Sequence, residues 1–353
     1  MTVNPTPPAP TSVTINDVAR RAGVSVMTVS NVVNGKTSVR PTTRQRVLDA
    51  IEATGYRVNP MARALAGGRN RLLSVIAPQL NLPYVSEVLQ GATQAAERLG
   101  YDLVVMMIGE RNTSDLSVMS RLSAGALLIQ PSRRGRVRRL HLPQHVVSVD
   151  GPSDLPLVVD NYGGARQAMQ HLLALGHTRI GFVSGLHSEN ILSGDTPEAQ
   201  LWDRDDASER LRGYHDSMAL AGLDVPQGYV QHGDYLKESG EVAVRALLAL
   251  PRPPTALFVS GDAMALGAMH VAQDLGLHVP QDLSIVGFDD LPIAAASRPG
   301  LTTVRQPLQH MGETAVQMLI DLVDGQPVTL PPPFPTELAV RESTAPPPHT
   351  RPA

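Results

Sequence analysis

VTINDVARRAGVSVMTVSNVVNG, residues 13–35, holds two short helices and a tight turn. Thr14 opens the first helix, and Asp17 three places on makes it close to a capping box. Ile15, Val18 and Ala19 form its apolar stripe. Ala22-Gly23-Val24 is the turn. Ser25 caps a second helix, Val26 to Asn34, and Gly35 suits its stop. A third helix is expected from about Thr43 to Thr54, with Val47, Leu48 and Ile51 inward and Gly55 ending it. Two short helices joined by a Gly-containing turn are the pattern of a helix-turn-helix, whose second helix enters the major groove of DNA. A three-helix bundle with no such role is the plainer reading, and charge separates the two.

Residues 1–70 carry nine Lys/Arg against three Asp/Glu, whereas residues 71–353 carry 21 against 30. A small basic head on a larger acidic body directs the head at a polyanion. Cysteine is absent. That excludes disulfides, thiolate metal ligands and cysteine nucleophiles, and it fits a reducing compartment. No apolar run approaches the ~20 residues of a membrane-spanning helix. The start, MTVNPTPPAPTS, has neither a basic opening nor an apolar core, so the expectation is a cytoplasmic chain without a secretory signal. Residues 1–12 and the end, STAPPPHTRPA (343–353), read as a disordered arm and a disordered tail.

Outward from the head (13–58) comes a hinge and linker (59–70). Asn59 is a good N-cap, Pro60 suits the first helical position and Gly67 the stop. About two turns lie between them, and a helix that short is marginal alone in water. It forms only when something packs on it. From residue 71 to 342 apolar runs (72–77, 103–108, 126–130, 146–150, 180–185, 256–261, 283–290) alternate with helical stretches. These helices cover Val85–Leu99, Ala165–Leu175, Ser208–Ala221, Ser239–Leu250, Ala263–Leu275 and Leu308–Leu322. The alternation implies an α/β body of parallel sheets with helices on both faces. It is too long for one ordinary sheet, so two similar lobes are expected, with a ligand cleft at the carboxyl ends of the strands. PPPFP (331–335) reads as a turn into a last strand.

The two head segments 13–35 and TRQRVLDAIEATGYRVNPMARALAGG (43–68) closely resemble the LacI/GalR family of bacterial transcriptional regulators. So do VDNYGGARQAMQHLLALGHTRIGFVSG (159–185), RLRGYHDSMALAGL (210–223) and SGDAMALGAMHVAQDLGLHVPQDLSIVGFDDLP (260–292). LTTVRQP (301–307) and PTELAVREST (335–344) extend the resemblance to nearly the whole chain. It implies a homodimer whose two heads read a pseudo-palindromic operator in double-stranded DNA. Val26, Met27 and Asn31 then face bases. Thr14, Ser25, Thr28, Asn34 and Tyr56 hold phosphates. Paired hinge helices enter the minor groove, where Leu65 wedges between base pairs beside Ala62. The body resembles periplasmic sugar-binding proteins. The resemblance implies a first lobe of about 71–175 plus 308–335 and a second of about 176–307 plus the end. It implies effector contacts from Tyr84, Arg210, Tyr235 and Asp289, with Asn161, Gly261, Asp262 and Gln306 as lesser candidates. Plainer readings stand beside these: Asp289 as a turn cap, Asn161 as a helix cap, Tyr235 as packing.

The sequence departs from the common family pattern in three places. Asn31 stands where arginine is common, which favours adenine over guanine at the base it faces. Leu82-Pro83-Tyr84-Val85 replaces Asn-Pro-Phe-Phe after the first strand. Residues 186–206 form a longer acidic loop with the single tryptophan, Trp202; it either covers the cleft mouth or lies in solvent. Other signals are weak. The arginines at 133, 134, 136, 138 and 139 read as a solvated surface run. Gly35-Lys36-Thr37 lacks the glycine and strand of a phosphate loop. His171/His177 and His141/His145 lack a zinc-protease pattern, and Ser184 is one place late for a nucleophile elbow. No catalytic set, metal site or cofactor is expected. The basic head opposes a pure solute-binding protein. The expectation is a ligand-responsive repressor of a catabolic, carbohydrate operon released by a sugar. A corepressor-dependent regulator of nucleotide metabolism is the alternative.

Overall fold

The computed structural model describes residues 13–33, 36–56, 70–77, 82–107, 122–129, 142–151, 153–185 and 206–348. The arm at 1–12, Asn34, the 59–68 hinge helix with Ala62 and Leu65, the arginine run and the loop at 186–205 lie outside these residues. The chain divides between Arg71 and Leu72 into two compact units.

The head holds α1 (Ile15–Ala22), α2 (Val26–Val33) and α3 (Pro41–Thr54). The Asp17 carboxylate accepts the Thr14 N–H at 2.9 Å and the Thr14 hydroxyl at 2.7 Å, closing the expected capping box. These two hydrogen bonds hold the Asp17 carboxyl below its usual range. Gly23 ends α1 with φ 61°, a left-handed conformation that an L side chain resists. The Ser25 hydroxyl accepts the Thr28 N–H at 3.2 Å, so it caps α2. Val18, Val29 and Val47 are fully buried at the centre of the bundle. Leu48, expected inward, is 45% exposed, because the inward stripe of α3 runs through Val47, Ala50 and Ile51. Helix α3 also begins earlier than expected, at Pro41, whose fixed φ suits a first turn.

The first lobe of the body is a five-stranded parallel sheet in the order β2-β1-β3-β4-β5. Its strands are β1 (Leu72–Ala77), β2 (Asp102–Met107), β3 (Gly125–Ile129), β4 (Val146–Val149) and β5 (Pro156–Leu157). Helices α4 (Pro83–Leu99) and α10 (Leu308–Val323) pack with Leu73, Val75, Leu127 and Val147 of this sheet in one core.

The second lobe is a six-stranded sheet, β11-β10-β9-β8-β6-β7, parallel except for its last strand. Its strands are β6 (Ile180–Ser184), β7 (Val230–His232), β8 (Ala256–Val259), β9 (Ser284–Asp289), β10 (Thr302–Arg305) and β11 (Glu337–Ala339). Strands β6, β8 and β9 are buried throughout, as parallel strands between two helical layers must be. Helices α5 (Asn161–Ala174) and α6 (Asp206–Leu220) share a core with Phe182, Phe258 and Phe288. Helices α7 (Lys237–Leu248) and α8 (Asp262–Asp274) share another with Val183, Leu257 and Ile285. A short α9 (Pro292–Ala296) follows β9.

Two expectations are corrected here. Helix α5 belongs to the second lobe, not the first. Its buried face (Ala165, Ala168, Met169, Leu172) packs against Tyr214 and Phe288, so the chain changes lobes before it, at 158–160. There Asp160 N–H donates to Phe334 O at 2.8 Å and Phe334 N–H to Val158 O at 2.9 Å, so two crossing segments run side by side. Gln306-Pro307, between β10 and α10, is a third crossing. The second correction concerns the tail, which is ordered from 343 to 345. Ser343 is fully buried, donates to Ile285 O at 2.6 Å and accepts the Thr302 N–H at 2.8 Å. Ala345 N–H donates to the Ser284 hydroxyl at 3.0 Å, and its carbonyl lies 2.8 Å from His177 Nε2. Hydrogen bonds between polar side chains and backbone, not apolar contacts, anchor this segment, which is why composition hid it.

Helices α4 and α10 touch through backbone. A Cβ on Gly312 would lie 2.0 Å from Val88 O, and one on Gly91 1.8 Å from Gln309 O. Gly312→Ala is therefore expected to destabilise the body by about 1–3 kcal/mol, read as a lower thermal midpoint. An unchanged midpoint would mean that the two helices part without cost.

Candidate functional site

The head presents one distinctive surface, the start of α2. Val26 is 41% and Met27 69% exposed there, although both are apolar. The helix, VMTVSNVV, carries no charge. Ser25 and Thr28 hydroxyls lie 2.9 Å apart in a hydrogen bond at its N-terminus, which leaves the cap preorganised. Asn31 is half-buried one turn on. Tyr56 packs partly buried against the head core. Exposed Arg20, Arg21, Lys36 and Arg40 surround these residues in the sequence of the unit and supply its positive charge. The arrangement suits a recognition helix flanked by phosphate-positioning groups.

The body places its cleft between the lobes, at the carboxyl ends of strands, as expected of open parallel sheets. Tyr84 enters from the start of α4, and Asp206, Arg210, Tyr235 and Asp289 line it from the second lobe. Arg210 is only 2% exposed. Its Nε donates to Asn161 Oδ1 at 2.9 Å and its Nη1 to Ser260 O at 2.5 Å. Its Cζ lies 3.7 Å from the centroid of the Phe288 ring, a cation–π contact. Asp289 Oδ1 lies 3.9 Å from Nη1. A buried guanidinium needs this full set of partners, because burial without them is prohibitive.

Asp289 ends β9 with φ 120°, a left-handed backbone that aims its side chain at the cleft. Gln306 Nε2 donates to it at 2.6 Å from the third crossing. Burial pushes the Asp289 carboxyl up to about 7, although Arg210 and Gln306 pull it down. The Tyr84 hydroxyl donates to Asp150, which follows β4. Burial and that carboxylate push the Tyr84 phenol well above its ordinary value. Tyr235, at φ 69°, donates to Asp206 at 2.7 Å. Its ring lies against Gly185, where a Cβ would come within 2.0 Å of the Tyr235 Cζ.

Five of the eight expected effector residues therefore line the cleft: Tyr84, Arg210, Tyr235, Gly261 and Asp289. Two stand behind it, Asn161 orienting Arg210 and Gln306 holding Asp289. Asp262 is not brought to the cleft, a correction. Its carboxylate accepts Thr303 Oγ1 at 2.5 Å and the Leu291 N–H at 2.8 Å, so it ties α8 to β10 and to the turn after β9. Burial, with Asp289 nearby, pushes its carboxyl well above the usual range. Sequence reading missed Asp150, Asp206 and Phe288. Asp206 sits four places before Arg210 on one helix, a spacing that shares a face. Asp150 follows β4, where ligand-facing residues of parallel sheets collect. Among the described residues no three His, Asp or Glu side chains are grouped to hold a metal ion. Among them, no helix is long and apolar enough to cross a membrane.

Comparison with known proteins is consistent with both units. Residues 14–59 match the bacterial regulatory proteins of the lacI family, and residues 169–344 a periplasmic binding protein-like domain. Catabolite control protein A of Priestia megaterium is 35% identical over 335 residues, covering 91% of this chain and 97% of its own. The HTH-type transcriptional repressor CytR of Escherichia coli K12 is 33% identical, covering 90% of this chain and 92% of its own. The crystal structure of the lac repressor dimer bound to operator and the anti-inducer ONPF superposes with a TM-score of 0.78. It is 28% identical, covering 95% of this chain and 99% of that one. A complex of the regulator CelR with cellobiose has a TM-score of 0.65 at 29% identity, covering 94% of this chain and 99% of that one.

Replacing Arg210 with Met leaves Asp289 buried without its cation. Its carboxyl then rises further above 7. A raised carboxyl pKa in the folded state gives stability that is present at low pH and lost as pH rises through it. Arg210→Met is thus expected to cost about 3–5 kcal/mol near pH 8 and markedly less near pH 5.5, measured by denaturant unfolding. A deficit equal at both values would show that Asp289 is not the charge Arg210 offsets.

Proposed function

The chain belongs to the lacI family of bacterial regulatory proteins, and on that premise we propose that it represses a carbohydrate-utilisation operon and is released by a small sugar-like effector. It acts as a homodimer on a pseudo-palindromic operator, in the cytoplasm at the nucleoid. The observation that carries this reading is the buried Arg210–Asp289 pair in a cleft between two lobes, on the same chain as a helix-turn-helix. Paired guanidinium and carboxylate groups beside the Tyr84 and Tyr235 rings suit the hydroxyls and apolar face of a sugar. The CelR–cellobiose complex, on the same fold, supports a sugar as the ligand class.

The effector can shift the protein between operator-bound and released states only by its different affinity for each. The crossings at 158–160, Gln306-Pro307 and Phe334 are the segments that any change of lobe angle must bend. Gln306 joins one of them directly to Asp289. The other end of the coupling is the 59–68 hinge. A short conditional helix there folds in the minor groove, with Leu65 wedging a base step apart beside Ala62. Thr14, Ser25, Thr28, Asn34 and Tyr56 position the head on phosphates.

Base readout falls to Val26, Met27 and Asn31. The first two have no hydrogen-bonding group and pack on thymine methyls, while Asn31 pairs with adenine N6 and N7. Helix α2 carries no arginine to read guanine.

Leu65→Gly is expected to lower operator affinity by at least about tenfold in a fluorescence-anisotropy titration, with effector affinity kept. Undiminished operator binding would remove the hinge from the mechanism. In vitro selection is expected to return an A·T pair opposite Asn31, and Asn31→Arg to move that position toward guanine. Deoxyuridine in place of the thymines facing Val26 and Met27 is expected to weaken binding. An invariant guanine opposite Asn31, retained in Asn31→Ala, would refute this assignment.

A further inference from the structure

We propose, resting on the reading of the cleft as the effector site, that Asp262 is a positioning residue of that site. Standing behind Asp289 as a neutral carboxylic acid, it fastens the turn that aims Asp289 and leaves that neighbour as the charged member of the pair.

The turn needs fastening. Asp289 at φ 120° and Asp290 at φ 57° are consecutive residues in a backbone region that favours glycine. Asp262, the first residue of α8, reaches both sides of this turn. Its backbone N–H donates toward the Asp289 carboxylate, and its side chain receives the Leu291 N–H at 2.8 Å. Its other carboxyl oxygen lies 2.5 Å from Thr303 Oγ1 of β10. Gly287 of β9 leaves the space for this approach, since a Cβ there would collide with Asp262 Oδ1.

Charge decides the protonation. Asp262 is fully buried, and the charged groups that face it, Asp289 and Asp290, are both acidic. The cations of the surrounding elements are set against other carboxylates. Arg210 of α6 faces Asp289, while Arg305 of β10 and Arg341 after β11 hold Asp290. Between α7 and α8, Lys237 and His270 pair with Glu241, and Arg245 pairs with Asp274. Among the described residues Asp262 forms no ion pair. A carboxyl group buried without a cation, beside a second carboxylate, keeps its proton. Burial and Asp289 accordingly push the Asp262 carboxyl well above the usual range. Burial raises Asp289 too, but Arg210, Gln306 and the Asp262 N–H all favour its ionised form. As an acid, Asp262 still serves both partners. One oxygen keeps the Leu291 N–H, and the acid proton lies between the other and the Thr303 oxygen. An asparagine amide matches this pattern, and an alanine offers none of it.

The test uses the full-length protein with Asp262→Asn and Asp262→Ala. Infrared difference spectra at neutral pH, wild type minus Asp262→Asn, are expected to show the C=O stretch of a protonated carboxylic acid. Denaturant unfolding at one protein concentration gives the pH profile. A carboxyl whose folded pKa is raised contributes stability that is present at low pH and lost as pH rises. Asp262→Asn is therefore expected to gain on the wild type by up to tenfold in the unfolding constant per pH unit, from about pH 4 upward. Asp262→Ala, without the clamp, is expected to fall below Asp262→Asn throughout. In an Asp289→Asn background the repulsion is gone, so the advantage of Asp262→Asn at about pH 8.5 is expected to shrink.

A difference spectrum without the acid band, or an advantage that does not grow with pH, overturns the proposal. So does failure of Asp262→Asn to fold, because its amide should serve both partners. An advantage equal in both backgrounds would make Asp262 a buried acid unconnected with Asp289, and overturns it as well. If Asp289→Asn does not fold, the spectrum and the pH profile in the natural background decide. These readouts use neither ligand nor DNA, so a failure of the regulator reading, seen as absent operator binding, is told apart from a failure here.

Discussion

A buried guanidinium organises the body of this protein. Arg210 is removed from water on α6, and a charge so placed must be surrounded by acceptors or it unfolds its own site. Its partners come from separate elements: Asn161 at the start of α5, the Ser260 carbonyl after β8, Asp289 at the end of β9, and the ring of Phe288 beneath it. Satisfying Arg210 therefore sets the relative positions of two helices and two strands. It also leaves the carboxylates around it facing the gap between the lobes.

The same contacts join the cleft to the segments that cross between the lobes. Asp289 is held in a left-handed backbone and bonded to Gln306, which sits where the chain passes from β10 to α10. Asn161 follows directly on another crossing, at 158–160. A molecule bound at Asp289 would meet groups already joined to two of the three crossing segments. No longer path is needed to connect a bound molecule with a change of lobe angle. The head works by a different economy of parts: a small valine core, two caps and an uncharged helix whose apolar start remains open to solvent. Exposed valine and methionine are unfavourable on a bare surface, and a DNA groove offers the methyl groups that would cover them.

Much of this was legible in the residues. The Thr14–Asp17 box, the Ser25 cap, the glycine turn at 23 and the valines of the head are local signals, and each is present. Seven apolar runs became strands and the long periodic stretches became helices, because burial on both faces leaves continuous apolar runs. Strands β5, β7 and β10 and helix α9 were too short to show a period. Of the site, Tyr84, Arg210, Tyr235 and Asp289 could be placed by family resemblance, whereas Asp150 and Asp206 belong to no motif quoted above and emerged only from proximity.

What the sequence by itself determined is local: where helices start and stop, which runs are strands, that a basic head precedes an acidic two-lobed body. These follow from capping, periodicity and charge, which act over a few residues. What only the tertiary structure decided depends on contacts between distant positions. Helix α5 joined the second lobe because its small-residue face fits Tyr214 and Phe288, not because its stripe says so. Ser343 and Ala345 became part of the second lobe through hydrogen bonds of the Ser343 and Ser284 hydroxyls that join the tail to β9 and β10. Asp262, read as a cleft residue, turned inward because Thr303 and the Leu291 N–H supply the partners a buried carboxylate requires. An apolar stripe or a carboxylate states what it needs, and only the folded chain settles which neighbour meets that need.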